Sequence, residues 1–439
     1  MTATSDIARR GLVYGYASVD LYRILHDFAV DRRGPEFKAP LNAFGHSRRV
    51  ASAADRTVVA MNVDTPYSYG WLDLRAEPVV VDLPSFEPER YVSAMFVDLA
   101  TYIVGYVSPR TNGTRGGRFL VTGPGWSGEV PPGIDGTFTC PTSLCLVFLR
   151  VQLFGSDDRG NVTAIQDRCD IRTLSTFVGQ PPPDPVPLPE PVPPVDVRRE
   201  PDVRFFEVLS WMLELMPPAD DERDARGQLT AAGLAPFEPR GRGWSEEVLE
   251  GMAAGLGDMK RWAATVRSSA ELFGSREQLG VDPMPRAVGA MLGILGNSPD
   301  EYLGVGYAAD ADGEPFDGCR RYTIRFAPGQ LPPVDAFWSI TLYDAARFLY
   351  ANELGRCSVS SRDLADMHRD HDGGTTILLA HRLEDERQAA NWLPCPDGPF
   401  HLAFRTYLPR AEIRDGRWTA PPVQVLDHVS TEGDPTRRG

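Results

Sequence analysis

The chain has 439 residues, 42% hydrophobic and 24% charged, which is enough for two or three domains with real cores. A formal net charge of −15 argues against a nucleic-acid or anionic-membrane partner. No run approaches the roughly 20 apolar residues of a membrane span. Charges interrupt the N-terminal segment where a signal peptide needs an apolar stretch, so cytoplasmic residence is expected. The six cysteines show no CxxC or framework spacing, which favours reduced, mostly buried thiols over disulfides.

In chain order, residues 7–32 carry a helical stripe built on Leu12, Tyr16, Val19 and Tyr22, widened by Leu21, Leu25 and Phe28. Short β-like runs follow at 79–83, 91–98, 103–107, 118–122 and 143–153, punctuated by Gly, Pro, Asn and Asp. Asp98 and Arg150 stand at the ends of otherwise apolar strand faces, where exposure or an ion pair would each explain them. The run PPPDPVPLPEPVPP at 181–194 excludes a helix interior or a central strand and reads as a polyproline II connector.

Helical patterns resume at 203–216, stopped by Pro217-Pro218, and again from an expected N-cap at Ser245 through Val266. A shorter helix is expected at 285–295. From Tyr307 onward the pattern is β. Tyr322, Ile324 and Phe326 alternate with Arg321, Thr323 and Arg325. In FWSITLYD, Trp338, Ile340 and Leu342 share one strand face, and Phe337, Ser339, Thr341 and Tyr343 share the other. In FHLAFRTY, Phe400, Leu402 and Phe404 oppose His401, Ala403, Arg405 and Tyr407. One face of each strand can seal a core while the other lines something wetter.

These elements predict a mainly β protein: two antiparallel β-sandwich or jelly-roll-like halves with an α-helical segment between them. The expected divisions are 1–180 (helix plus sandwich), 181–201 (proline-rich linker), 202–300 (helical) and 301–439 (second sandwich).

The motifs NVDTPYSYGWLDL, RYVSAMFVD, GRFLVTGPGW, GEPFDG, LPPVDAFWSITLYD and ANWLPCPDGPFHLAFRTYLP, in this order, resemble the paired domain-of-unknown-function families 1254 (N-terminal) and 1214 (C-terminal). The resemblance implies two sandwich or jelly-roll-like halves flanking helices, and a homo-oligomer. It implies no particular reaction. Where the family commonly has Asn-Arg-Tyr-Ser, this chain has Gly355-Arg356-Cys357-Ser358.

Two clusters hold polar groups able to do chemistry. In the first, Asn62, Asp64, Thr65, Tyr67, Trp71 and Asp73 stand close together. Asp64 and Asp73 could divide general acid and base roles if their environments separate their pKa values. Asp64-Thr65-Pro66 is equally ordinary turn chemistry. In the second, Tyr343, Asn352, Arg356, Asn391, Trp392, Arg405 and Tyr407 combine anion-binding guanidinium groups with aromatic surface. A buried arginine pinning the sandwich would explain the same pattern.

ADMHRDHDGG at 365–374 gathers His and Asp but ends in a hairpin signature, so an exposed loop is preferred to a metal site. Asp310-Ala311-Asp312-Gly313 reads as a hairpin turn. No GxSxG, HExxH, GxxxxGK[ST] or helix-opening GxGxxG occurs, which argues against the corresponding hydrolase, metallopeptidase, nucleotide and dinucleotide chemistries.

The expectation is a cofactor-independent hydrolase, lyase or isomerase acting on a small or glycosidic organic substrate in a pocket between the β-halves. Asp64, Asp73, Tyr67 and Tyr343 are the expected catalytic groups. Asn62, Trp71, Trp338, Asn352, Arg356, Asn391, Trp392, Arg405 and Tyr407 are the expected substrate contacts, with no metal and no cofactor. The alternative is a non-catalytic carbohydrate- or small-ligand-binding scaffold.

Overall fold

The computed structural model describes residues 2–56 and 60–426. It is mainly β, with four sheets in two halves and a helical share of 30%. The chain divides into two compact units, one of residues 1–50 and 64–303, the other of residues 51–63 and 304–439.

The first unit contains β1 (Phe44–His46), β2 (Tyr67–Asp73), β3 (Val79–Leu83), β4 (Val92–Asp98), β5 (Ile103–Val107), β6 (Gly117–Thr122), β7 (Gly136–Thr139), β8 (Leu144–Val151) and β9 (Asp170–Thr173). They form a five-stranded sheet ordered β1-β2-β8-β4-β5 and a four-stranded sheet ordered β7-β6-β3-β9. Leu72, Ala94, Phe96, Val147 and Leu149 face Val79, Val81, Phe119, Val121 and Ile171 in the interior between the sheets. The opposite face of the larger sheet, with Trp71, Met95, Val97, Leu146 and Phe148, packs on helices. A strand covered on both sides has no polar face, which is why all eight residues of β8 are apolar or buried, Arg150 included.

The helical layer is centred on the helix Ala3–Leu25, capped by Thr2, whose side chain accepts from Ser5 N at 3.1 Å. It packs against the helices Phe205–Glu214, Arg242–Ala263 and Met284–Gly293. Gly251 and Gly255 let Arg242–Ala263 pass close to Ala3–Leu25: a Cβ on Gly251 would stand 2.0 Å from the Ser5 carbonyl oxygen. The helix expected to be capped by Ser245 begins earlier, at Arg242. Ser245 lies inside it, and its hydroxyl donates back to the Gly241 carbonyl at 3.1 Å. The proline-rich segment has no regular secondary structure and lies along this unit. Tyr22 Oη donates to Val192 O at 2.6 Å and Trp211 Nε1 to Pro189 O at 3.4 Å.

The second unit is a sandwich of β10 (Tyr302–Tyr307), β11 (Tyr322–Phe326), β12 (Trp338–Asp344), β13 (Ser358–Ser360), β14 (Thr375–Ala380), β15 (Trp392–Pro394), β16 (Phe400–Tyr407) and β17 (Val423–Val425). Its sheets are ordered β10-β16-β12-β13 and β15-β14-β11-β17. Between them lie Trp338, Ile340, Leu342, Phe400, Leu402 and Phe404 from one sheet and Tyr322, Ile324, Phe326, Ile377 and Leu379 from the other. These are the apolar faces that the alternation in the sequence assigns to a core. Asp310 closes a hairpin turn, its Oδ1 accepting from Asp312 N and Glu314 N at 3.0 Å each.

Candidate functional site

The first sequence cluster does not gather. Asn62 belongs to the second unit, whereas Asp64, Tyr67, Trp71 and Asp73 belong to the first. Asp73 ends β2 and Asp64 precedes its start, with about 20 Å of extended strand between them, so they cannot work as a carboxylate pair. Asp64 and Thr65 are buried, and the Asp64 carbonyl accepts from Leu153 N at 2.9 Å. Asp73 is engaged by its neighbour: Arg75 Nε reaches Oδ1 at 2.8 Å and Nη2 reaches Oδ2 at 2.6 Å. This bidentate pair fixes the end of a strand. Trp71 is buried among the helix-facing core residues. Tyr67 stacks edge-on to Phe148 at 4.8 Å.

The second cluster gathers in part. Tyr343 on β12 and Arg405 and Tyr407 on β16 project from the face of their sheet opposite the sandwich interior. Antiparallel register sets Ser339 opposite both Arg405 and Ser360, Thr341 opposite Ala403, and Tyr343 opposite His401. Partners directly opposite share a face, so these residues form one polar wall. Arg405 is 5% exposed. Its Nη1 donates to Thr341 Oγ1 at 2.8 Å, and its Nη2 donates to Tyr343 Oη at 2.5 Å and Ala60 O at 3.0 Å. Tyr343 Oη in turn donates to Met61 O at 2.8 Å.

Asn62 Nδ2 donates to Tyr407 Oη, and the Tyr407 ring stacks on Phe337 at 4.1 Å. His401, at the rim, has its pKa lowered by burial and by Arg347. A guanidinium and a phenol thus meet the backbone oxygens of residues 60 and 61, while the Thr341 hydroxyl accepts from the same guanidinium. Such a set can hold carbonyl or carboxylate oxygens.

The remaining expected contacts do other work. Trp338 sits in the sandwich core against Phe326, with ring centres 5.2 Å apart. Asn352 and Arg356 close a loop on themselves, with Asn352 Nδ2 donating to Arg356 O at 2.9 Å. Arg356 spends its guanidinium on Ala389 O and Ala390 O at 2.9 and 2.8 Å. Burial lowers its pKa. Asn391 holds the 366–374 loop to β14, donating to His368 O and Thr376 O and accepting from His368 N. Trp392 Nε1 donates to Ala380 O at 2.8 Å. The His- and Asp-rich loop is mostly exposed, with Asp372 paired to Arg325. Among the described residues, no group of three or more His, Cys, Asp or Glu is placed to hold a metal ion.

Sequence reasoning missed the setting of four polar features of the first unit. Glu301 is fully buried, accepting from Ser108 Oγ at 2.7 Å, Arg110 Nε at 2.8 Å and Tyr91 Oη at 3.2 Å. Asp98, for which strand-end exposure was an option, is instead buried. Burial pushes its carboxyl up to about 7, against the opposing pull of the Tyr102 N–H and Arg286. Arg150 is also buried, its guanidinium 4.2 Å from the Phe148 ring and donating to Leu295 O. Finally, His46 Nδ1 lies 2.8 Å from Ser68 Oγ, and burial lowers its pKa to about 4. Ser68 is fully buried and also receives Gln166 Nε2 at 3.1 Å, so this pair braces β1 on β2. Glu301, which follows Asp300 just before a β-rich run, left no local signal of its burial.

Comparison with known proteins follows the same two halves. A family model described as a protein of unknown function, DUF1254, matches residues 41–173, and a second, DUF1214, matches residues 301–411. The chain is a paired DUF1254–DUF1214 protein. The DUF1254 match spans the first sandwich, and the DUF1214 match ends just past β16 and so includes the polar wall. The crystal structure of the VPA0106 protein from Vibrio parahaemolyticus is similar, with a TM-score of 0.76 and 27% identity over 97% of this chain and 100% of that one. A putative uncharacterized protein from Burkholderia cenocepacia aligns with a TM-score of 0.43 and 13% identity over 94% of this chain and 86% of that one. No curated protein matches the chain. Among the described residues, no helix is long and apolar enough to cross a membrane.

Proposed function

We propose that this DUF1254–DUF1214 protein binds a small organic molecule through its oxygen atoms at the polar wall of β12 and β16, and turns it over without a redox cofactor. Arg405, positioned by Thr341, holds the oxygens, Tyr407 borders the site, and Tyr343 handles the proton in a hydrolysis, elimination or isomerisation. The observation that carries this reading is the convergence of Arg405, Tyr343 and Thr341 on one buried sheet face. The two sandwiches serve as jelly-roll-like supports, a view favoured by strands that pass back and forth between the sheets of the first unit. Cytoplasmic residence and a homo-oligomer belong to the same reading.

The second reading, a non-catalytic carbohydrate or small-ligand binder, is favoured by the separation of Asp64 from Asp73 and by the Asp73–Arg75 pair. Both readings are tested by screening a metabolite extract with the purified chain and with its Arg405→Met and Tyr343→Phe variants. The enzyme reading expects a compound consumed by the parent, with turnover reduced about 100-fold or more in Tyr343→Phe and binding lost in Arg405→Met. Retention of a compound without chemical change selects the binder. Activity unaltered in both folded variants removes the site.

A further inference from the structure

Residues 60–62 lie on the polar wall in a way that describes what else could lie there. The carbonyl oxygen of Ala60 accepts from Arg405, and that of Met61 accepts from Tyr343. They are successive peptide carbonyls, so their carbons are separated by two atoms, the Met61 nitrogen and Cα. Residues 60–63 are only half-buried, whereas Tyr343, Arg405 and Tyr407 beneath them are buried. The short segment is therefore an outer layer over the donors.

Its backbone is also held under strain. Ala60 has φ +54° and Arg347 has φ +65°, a region that side-chain-bearing residues adopt at a cost. The two are joined by a hydrogen bond from Ala60 N to Arg347 O at 2.8 Å. Strain of this kind persists only where surrounding contacts enforce it, and at Ala60 these are the Arg405 donor on its carbonyl and the Arg347 carbonyl on its N–H. A carboxylate competes well for such donors, because a guanidinium binds an anionic acceptor more strongly than a neutral carbonyl oxygen.

We infer that residues 60–62 are a displaceable occupant of the Arg405–Tyr343 site, whose own ligand carries two oxygen-bearing carbons separated by two atoms. A four-carbon dicarboxylate and an N-acyl amino acid both have that spacing. This inference rests on the polar wall being a ligand site, and it adds the ligand class and the means of access. Binding requires the 60–62 segment to leave, so affinity is reduced by the fraction of molecules in which it stays.

The test uses the full chain and three probes at constant ionic strength: succinate, N-acetylglycine and acetate. Calorimetry reads binding, and hydrogen–deuterium exchange reads residues 60–63. Succinate and N-acetylglycine should each bind and speed exchange of this segment several-fold, acetate should do neither, and Arg405→Met should abolish both effects. Two variants leave the donors intact. Ala60→Gly relieves the positive φ and so holds the segment down, weakening succinate binding by about 3-fold or more. Asn62→Ala removes the bond to Tyr407 and should strengthen it.

Succinate binding that depends on Arg405 but leaves exchange at 60–63 unaltered would overturn the displacement while keeping the ligand site. Failure of both spaced probes, or an equal response to acetate, would overturn the ligand class. In those two cases the metabolite screen with Arg405→Met still decides the site by itself.

Discussion

Asp98 shows how burial turns a single carboxyl into a pH-dependent cost. Its Oδ1 accepts from Tyr102 N at 2.8 Å and closes the turn between β4 and β5. Burial raises its pKa from the ordinary 3.8 to about 7. The folded chain keeps this proton over a range where the unfolded chain has lost it. The stability the protonated group contributes is complete below about pH 4 and is lost as pH rises through 7. Asp98→Asn retains the carbonyl acceptor and cannot ionise. Its stability relative to the parent should rise by on the order of 3 kcal/mol between pH 4 and pH 8. Urea denaturation at the two pH values reads this, and an unchanged gap would mean the carboxyl is ionised in the fold throughout. Nothing in MFVDLATY distinguishes this buried acid from one at an exposed strand end, because its burial comes from helices far away in sequence.

Whole elements were more legible than single polar residues. The alternation in FWSITLYD and FHLAFRTY assigned Trp338, Ile340 and Leu342 to the interior and Tyr343, Arg405 and Tyr407 to the other face, and the sandwich core follows that division. Period-two burial is a local property of a strand, so the sequence carries it directly. Helix starts were less legible: a serine beside an acidic residue looks like a cap, yet the helix at Arg242 begins a turn earlier.

Helix contacts make a sharper test. Gly251 stands where a Cβ would meet Ser5 O at 2.0 Å, while a Cβ on Gly257, in the same helix, would meet only the tip of Arg261 at 3.3 Å. Gly251→Ala should lower stability by about 3 kcal/mol, as overpacked contacts do. Gly257→Ala should raise it by about 0.5–1 kcal/mol through helix propensity. Thermal or urea unfolding of the two variants checks the contrast. Equal effects of both would show that the helices do not cross at Gly251.

At the scale of the molecule, the second unit takes residues 51–63 from a stretch flanked by strands of the first. Besides the bonds to Arg405 and Tyr343, Arg56 Nη1 pairs with Asp344 at 2.8 Å and the Arg56 guanidinium carbon lies 4.9 Å from the centre of the Phe348 ring. A fragment beginning at residue 304 therefore leaves a buried guanidinium and a buried phenol without acceptors they have in the whole chain, and unmet buried groups are costly. Such a fragment should be less stable than one with 51–63 restored by fusion. A synthetic 51–63 peptide added in trans should raise its melting temperature in a concentration-dependent way. Indifference to the peptide would show that residues 60–62 contribute nothing to this unit.

The sequence alone determined the apolar strand faces, the position of most strands and helices, and the pairing of DUF1254 with DUF1214. Each of these is written in local periodicity or in contiguous motifs. Only the tertiary structure decided which polar residues meet. It separated Asp64 from Asp73, tied Arg356 and Asn391 into loops, and brought Ala60 and Met61 to Arg405 and Tyr343 across more than 280 positions of sequence. Contacts of that range are fixed by how whole sheets and segments pack, and no local pattern encodes them.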